Sequence, residues 1–475
     1  RVLIPAGTFD LRGGIIAAPG VALVGAGRDL STLRRSGAST NAPLIEIDEA
    51  SHVSLAGFTL DGNGSQRATQ GILASDSSHL SVTGVRVRNL VESPHAFGPA
   101  GVYASSDLTD STFKNNEFLN IGTDAQWGAG IRIDGGSHRN TVVGNTIQNT
   151  GRGGILVKLS TDTVIRGNTV SGSGAFGGDA LGIEVFEHSD RAIIEDNTID
   201  HWLSIDESSR VAVRRNTVSD TWTDAGDIGY AGLELANVAS DVIFADNAVR
   251  DGAHIGISLS GPSPRSRVLF ARNRVERAQT WAMQLQAEGA GPAADGRFVF
   301  HRNTFTDTRD TVGLFGGGGY AIRLHADNGE LRDVFFSENT VTGNAGEAFN
   351  LQPGSEPGEN IRGLRFVGNT VAGNDDNGLP AAEGYATPDP TAELVAPGVV
   401  VAGQPAAFDV TFLLGGTTPG VPDAVLWDFG HGLPEVGAAQ SHTVEVPGDY
   451  RVMVVASGAD GRGAGLCPVV GGEES

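Results

Sequence analysis

Cysteine is nearly missing from this chain. Cys467 is the only one in 475 residues, so no internal disulfide can form. Lysine is almost as scarce, at Lys114 and Lys158, and arginine supplies the rest of the basic charge, a bias that a GC-rich genome would produce. Basic groups as a whole are outnumbered, 33 Lys and Arg against 56 Asp and Glu, which leaves a net charge of −23. That excludes nucleic acid as a partner, because neutralising phosphates takes clustered Lys and Arg. It also disfavours a strongly anionic glycan unless cations or local basic groups bridge the like charges. No apolar run approaches the roughly 18–20 residues of a membrane span, so no membrane partner is expected. The chain opens on strand-like residues, Arg1-Val-Leu-Ile, compatible with a start behind a removed leader or at a cut in a longer chain.

Glycine is abundant, at 68 residues, without the period of collagen, which implies many tight turns. A short unit also repeats: Asn116-Glu-Phe, Asn145-Thr-Ile, Asn168-Thr-Val, Asn197-Thr-Ile, Asn216-Thr-Val, Asn247-Ala-Val, Asn273-Arg-Val, Asn303-Thr-Phe, Asn339-Thr-Val and Asn369-Thr-Val. The steps run from 19 residues (Asn197 to Asn216) to 36 (Asn303 to Asn339). Between these lies a second unit, at Gly130-Ile-Arg-Ile, Gly154-Ile-Leu-Val, Gly182-Ile-Glu-Val, Gly232-Leu-Glu-Leu and Gly256-Ile-Ser-Leu. Period-two runs rich in β-branched residues are strands, and each is too short to bury a face alone. Coils of roughly 20–35 residues that stack on one another satisfy both facts. The expected architecture is all-β: a right-handed parallel β-helix over residues 1–385, a linker at 386–395, and a small β-sandwich at 396–475. An array of β-sandwiches would need regular hairpin signals, which are scarce. Stacked asparagines should hydrogen-bond from coil to coil, and the glycine before each Gly-Ile strand should take a positive φ.

Three segments carry a family resemblance. Arg1-Val-Leu-Ile-Pro-Ala-Gly-Thr-Phe, Val21-Ala-Leu-Val-Gly-Ala-Gly and Gly57-Phe-Thr-Leu-Asp-Gly-Asn-Gly resemble the opening of pectate-lyase-like β-helix proteins, and the likeness continues through the Asn coils to about residue 385. It implies a carbohydrate-active solenoid, in a superfamily that spans lyases, hydrolases, epimerases, transferases and phage tailspikes. In the tail, Ala424-Val-Leu-Trp-Asp-Phe-Gly-His-Gly and Val446-Pro-Gly-Asp-Tyr-Arg-Val resemble a PKD module. That family reads Trp-x-Phe-Gly-Asp-Gly, and His431 stands here in place of the acid. The resemblance implies a spacer or a cap on the solenoid's last strand, with glycan binding as the other role.

The strand period places Ile131, Ile155, Ile183, Leu203, Leu233, Ile257, Met283 and Ile322 inside and their successors outside. Up the stack this gives an outer column of Arg132, Leu156, Glu184, Ser204, Glu234, Ser258, Gln284, Arg323 and Asn350. Two residues on runs a second: Asp134, Lys158, Phe186, Asp206, Ala236, Ser260, Gln286, His325 and Gln352. Other strand faces, such as Val211-Ala-Val-Arg and Val242-Ile-Phe-Ala, are plainer. With coils ~4.8 Å apart and ~6.6 Å between alternate residues, Asp206 lies about 8 Å from both Glu184 and Glu234 at the backbone, and those two about 10 Å apart. Carboxyls about 6.5–9.5 Å apart suit inverting glycoside hydrolysis. Glu184, Asp206 and Glu234 are the candidate catalytic residues, with Asp206 as the acid and either glutamate activating water. Mutual repulsion would keep one of them protonated.

Substrate-binding candidates are Arg132, Asp134, Lys158, Gln284, Arg323 and His325, with Trp127, Trp202, Trp222, Trp281 and Tyr230 placed in turns leading to this face. Asp179, Asp227, Glu187 and His201 form a second tier. The expected partner is an extracellular polysaccharide or oligosaccharide, and the expected location is outside a bacterial cell. A uronate lyase or epimerase using Lys158 and Arg132 is the first alternative. A non-catalytic glycan-binding solenoid is the second. No cofactor and no metal are expected; Ca²⁺ is compatible with the acidic composition, but no motif indicates it.

Overall fold

The structure is a computed structural model that describes the chain outside residues 37–40, 65–67, 92–96, 123–126, 176–179, 220–230, 252–253, 262–264, 289–294, 311–317, 356, 358, 381–390, 398, 415–417, 421, 423, 447, 458–462, 467–468 and 474–475. Every regular element among the described residues is a strand. Each coil contributes one strand to each of three long parallel sheets, as in Thr141–Val143, Thr146–Thr150 and Gly153–Lys158. The next coil pairs in step, Thr141 with Val164, Ile147 with Val170 and Ile155 with Ile183.

The three inner faces share one apolar core. Val142, Ile147 and Ile155 are wholly buried, and so are their counterparts up the stack. Phe244, Phe270, Phe300 and Phe336 stack through it with ring centres 4.7–5.1 Å apart, near the coil spacing. Each such side chain contributes about 1.5–3 kcal/mol by leaving water, although no single coil could retain it.

The asparagine ladder forms as expected. From Asn116 to Asn369 each buried side-chain N–H donates to the Oδ1 of the next coil's asparagine at 2.9–3.0 Å. The other amide hydrogen donates to a backbone carbonyl, as from Asn145 to Phe113 at 2.9 Å. An aspartate has no N–H to extend this tape, so the repeat is specific for an amide.

The glycines of the Gly-Ile units serve a different purpose from the one expected. Their φ angles are not positive; the left-handed position is instead the residue before each ladder asparagine, such as Gly144 (φ 65°), Asp196 (57°) and Arg215 (54°). Gly154 and Gly182 face the inside corner between two sheets. A Cβ there would lie 2.4 Å from Val170 Cγ1 and 1.9 Å from Ile199 Cγ2 respectively. Glycine is required for space, not for backbone freedom.

Arginine also has a structural role. Arg139, Arg191, Arg215, Arg272 and Arg277 each grip an aspartate of the preceding coil through two guanidinium nitrogens. This fork geometry is one that lysine cannot supply.

The C-terminal domain is a small, mainly antiparallel sandwich around Trp427, Phe408 and Phe429. Its first strand, Thr391–Val395, pairs with Pro405–Leu414, so the sandwich takes up residues expected to belong to the 386–395 linker. Among the described residues the domain packs on the side of the solenoid. Leu426, Met453 and Val455 pack on Ile243, Ala245, Leu269, Ala271 and Val299, along the flank of the solenoid. Arg214, 1% exposed, joins the two bodies, reaching Glu195 at 3.3 Å, Asp428 at 2.7 Å and the Gly432 carbonyl at 2.7 Å. The faces of Val211-Ala-Val-Arg and Val242-Ile-Phe-Ala are therefore covered rather than exposed.

Candidate active site

The third sheet sets out the acidic column in the expected register. Leu156 pairs with Glu184, Glu184 with Ser204, Ser204 with Glu234, Glu234 with Ser258 and Ser258 with Gln284. The alternation that places Ile183, Leu203 and Leu233 in the core turns Glu184, Ser204 and Glu234 to the opposite face. Asp206 lies two residues beyond Ser204, in register with Ala236.

This outer face is sheltered rather than flat and open. Glu184 is 8% exposed and Glu234 7%. Leu156, Leu181 and Tyr103 form an apolar cluster on the outside of the sheet, with Phe186 and Trp202 packed against it. Carboxyls beside such a patch lose water but keep one another's charge.

Burial pushes the Glu234 carboxyl up to about 7, and the charges of Asp206 and Glu184 raise it further. Hydrogen bonds from the Ser204 hydroxyl, at 2.6 Å, and from the Trp202 side chain act in the opposite direction. Burial also raises Asp206, against the 2.6 Å hydrogen bond from the Asn237 amide, and the charges of Glu207 and Glu187 add to it. The Arg152 guanidinium lies 3.9 Å from Glu184. The three acids thus act as one electrostatic group, and the deepest of them is Glu234, not Asp206.

The basic candidates are engaged elsewhere. Arg132 donates through Nε and a terminal nitrogen to Asp134 Oδ2, at 3.1 and 2.8 Å, and lies over the Phe97 ring. Lys158 Nζ is 2.9 Å from Glu187 Oε1, in the next coil. Gln284 donates to Gln286, and Arg323 to Gln352, at the C-terminal end of the face where His325 pairs in register with Gln286.

The tryptophans depart from expectation. Trp202 and Trp281 are the first residues of the strands Trp202–Asp206 and Trp281–Glu288, not turn residues. Trp281 is buried beneath the Arg323 guanidinium, 4.2 Å from its ring centre. Among the described tryptophans only Trp127 is exposed, at 36%, with Arg152 over its ring. His201 is buried at the turn before Trp202, 3.7 Å from Asp200. Trp222, Tyr230, Asp179 and Asp227 lie outside the described residues.

Arg152, Ser204 and Asn237 belong to this site and had not been singled out as site residues. Ser204 stands in the outer column between the two glutamates, where alternation gives its direction but not its hydrogen bond to Glu234. Arg152 and Asn237 precede and follow the strands, where the period gives no direction. Among the described residues no group of three or more acidic, histidine or cysteine side chains is gathered to hold a metal ion. No helix there is long and apolar enough to cross a membrane.

A three-sheet parallel solenoid with a sheltered acidic column on one outer face defines a class, the β-helix proteins. The right handed beta helix region matches residues 43–202 and 182–388, and the chain belongs to that family. Residues 391–465 match the PKD domain. No curated protein matches the sequence.

Among solved structures, a tailspike protein mutant of Escherichia coli bacteriophage HK620, in complex with a hexasaccharide, is 12% identical. It covers 95% of this chain and 86% of its own, with a TM-score of 0.51. The mannuronan C-5 epimerase AlgE6 A-module of Azotobacter vinelandii is 15% identical, with coverage of 79% and 91% and a TM-score of 0.49. A GH87 alpha-1,3-glucanase catalytic unit from Streptomyces thermodiastaticus is 13% identical, with coverage of 79% and 63% and a TM-score of 0.41. At such identities the likeness is one of fold.

Proposed function

We propose that this protein cleaves an extracellular polysaccharide by glycoside hydrolysis on the outer face of its third sheet. The observation that carries this reading is Glu234, a sheltered carboxyl pushed up to about 7 beside two further acids. A general acid for a glycosidic oxygen must still hold its proton near neutrality, and burial next to like charges meets that need. Glu234 therefore takes the acid role that the sequence suggested for Asp206. Glu184, beside the Arg152 guanidinium, is the carboxylate that activates water. Two coils separate the pair, roughly 10 Å at the backbone, which the side chains shorten into the inverting range. Asp206 stays between them, sustaining the proton on Glu234 and accepting a sugar hydroxyl. The apolar cluster around Leu156, Leu181 and Trp202 offers a surface for the C–H face of a sugar ring. The tailspike protein similar in fold is in complex with a hexasaccharide, which agrees with a glycan substrate.

A uronate lyase or epimerase would need an available base and a cation for the carboxylate. The pairing of Lys158 with Glu187 and of Arg132 with Asp134 weighs against it. The test is a glycan panel followed by both reducing-end release and ultraviolet absorbance. Hydrolysis yields reducing ends without an unsaturated chromophore, and the activity is lost in Glu234→Gln and Glu184→Gln. A rising chromophore would assign the lyase instead. Binding without cleavage, unchanged in both variants, would leave a glycan-binding solenoid.

A further inference from the structure

The small domain carries a pair of imidazoles that the solenoid chemistry does not use. His431 lies in the loop after the strand Ala424–Asp428, and His442 on the strand Ala439–Thr443. Their Nε2 atoms are 3.1 Å apart. The partners of the other ring nitrogens fix the tautomers. His431 Nδ1 is 3.0 Å from the Phe429 carbonyl oxygen, which can only accept, so that nitrogen carries the hydrogen. His442 Nδ1 is 2.8 Å from Glu435 Oε1 and donates to it in the same way. With the hydrogens on Nδ1, the two Nε2 atoms turn their lone pairs towards one another. Such an arrangement is repulsive unless something positive lies between them.

The geometry distinguishes a metal ion from a shared proton. Metal–nitrogen bonds of about 2.05 Å place two ligating nitrogens about 2.9 Å apart at a right angle and about 3.3 Å apart at the tetrahedral angle. The observed separation falls between these. A head-on N–H···N contact of this length would hold the ring centres roughly 5.4 Å apart, whereas they are 4.8 Å apart with planes inclined at 65°. The rings are bent away from a straight hydrogen bond. A carboxylate on the far nitrogen of a histidine is also a usual outer partner of a metal ligand, since it orients the ring and raises its basicity.

We propose that His431 and His442 bind a divalent transition-metal ion through their Nε2 atoms, with Glu435 as the positioning partner of His442. Imidazole donors select ions of the zinc, copper and nickel type over calcium or magnesium. Water fills the remaining positions, and His431 opens onto a cleft of about 400 Å³ that Glu445 and Tyr450 share with Asp246 and Arg272 of the solenoid. The bound ion ties the loop to the strand beside the junction of the two bodies. A second close histidine pair among the described residues, His52 and His79, is inclined at only 30° with ring centres 4.6 Å apart. Lone pairs lie in the ring planes, so those of rings lying so nearly face to face do not converge.

The test uses the full chain stripped of metal by a chelator and titrated with Zn²⁺ by calorimetry and with Cu²⁺ by electron paramagnetic resonance. One tight equivalent and hyperfine coupling to two ring nitrogens are expected. His431→Asn and His442→Gln should abolish that equivalent, and Glu435→Gln should weaken it about 10–100-fold. His52→Ala should leave it in place. No stoichiometric uptake, or uptake that survives His431→Asn and disappears in His52→Ala, overturns the proposal. A variant that fails to fold does not obscure the answer, because a Cu²⁺ spectrum of the unaltered protein without nitrogen coupling overturns it by itself.

Discussion

Replacing Glu234 with glutamine tests the electrostatics of the acidic column without reference to any substrate. The carboxyl is pushed from its ordinary range up to about 7. At about 1.4 kcal/mol for each tenfold in proton affinity, that corresponds to about 3 kcal/mol. The folded protein binds this proton more tightly than the unfolded chain does. The contribution is therefore full below the unfolded pKa and is lost as pH climbs through the folded one, near 7. Glutamine has nearly the same shape and no proton to lose. Denaturant unfolding of both proteins at about pH 4 and about pH 8.5 isolates the effect as a difference of differences. The two should be of similar stability in acid, and Glu234→Gln should be the more stable by about 3 kcal/mol in alkali. The variant should also lose activity by about 100-fold or more, and wild-type activity should fall above neutrality as the acid ionises. A stability gap that does not change with pH would refute the argument that this group is held protonated, and the acid role would fall with it.

Asp206→Asn should lower the apparent pKa of the alkaline limb of activity, because it removes a charge that raises Glu234; a pH–rate profile reads this. Gly182→Ala forces a methyl to within 1.9 Å of Ile199 Cγ2, and thermal unfolding should report a loss of about 1–3 kcal/mol or more. Arg214→Ala leaves Asp428 buried without the guanidinium it pairs with, while Glu195 keeps Arg166 and Arg215. Denaturant unfolding should show a loss of about 3–5 kcal/mol, and limited proteolysis should cut more readily between the two bodies.

The coil repeat was legible because its cause is local. An amide that must both give and accept a hydrogen bond at one corner leaves asparagine at that place in coil after coil. The register of Glu184, Ser204 and Glu234 followed from strand alternation alone. The reason for the Gly-Ile glycines did not, since a collision with Ile199 or Val170 involves a strand of the next coil. Nor did the choice of acid. Depth of burial depends on what neighbouring coils and turns place over a carboxyl, and alternation gives a direction without a depth. Trp202 and Trp281 were assigned to turns because a tryptophan at a strand's first residue leaves no period-two signal. The flank beneath the small domain looked unremarkable in one dimension, because its apolar residues face Leu426, Met453 and Val455, far along the chain.

That seam also governs how the chain can be divided. A protein ending near residue 388 would keep all the coils yet open Ile243, Leu269 and Val299 to water and strand Glu195 and Arg214 at a raw surface. Such a fragment should self-associate, and any assay made on it would report on sticky aggregates. The two bodies are best handled as a single cooperative unit, whichever of them meets the sugar.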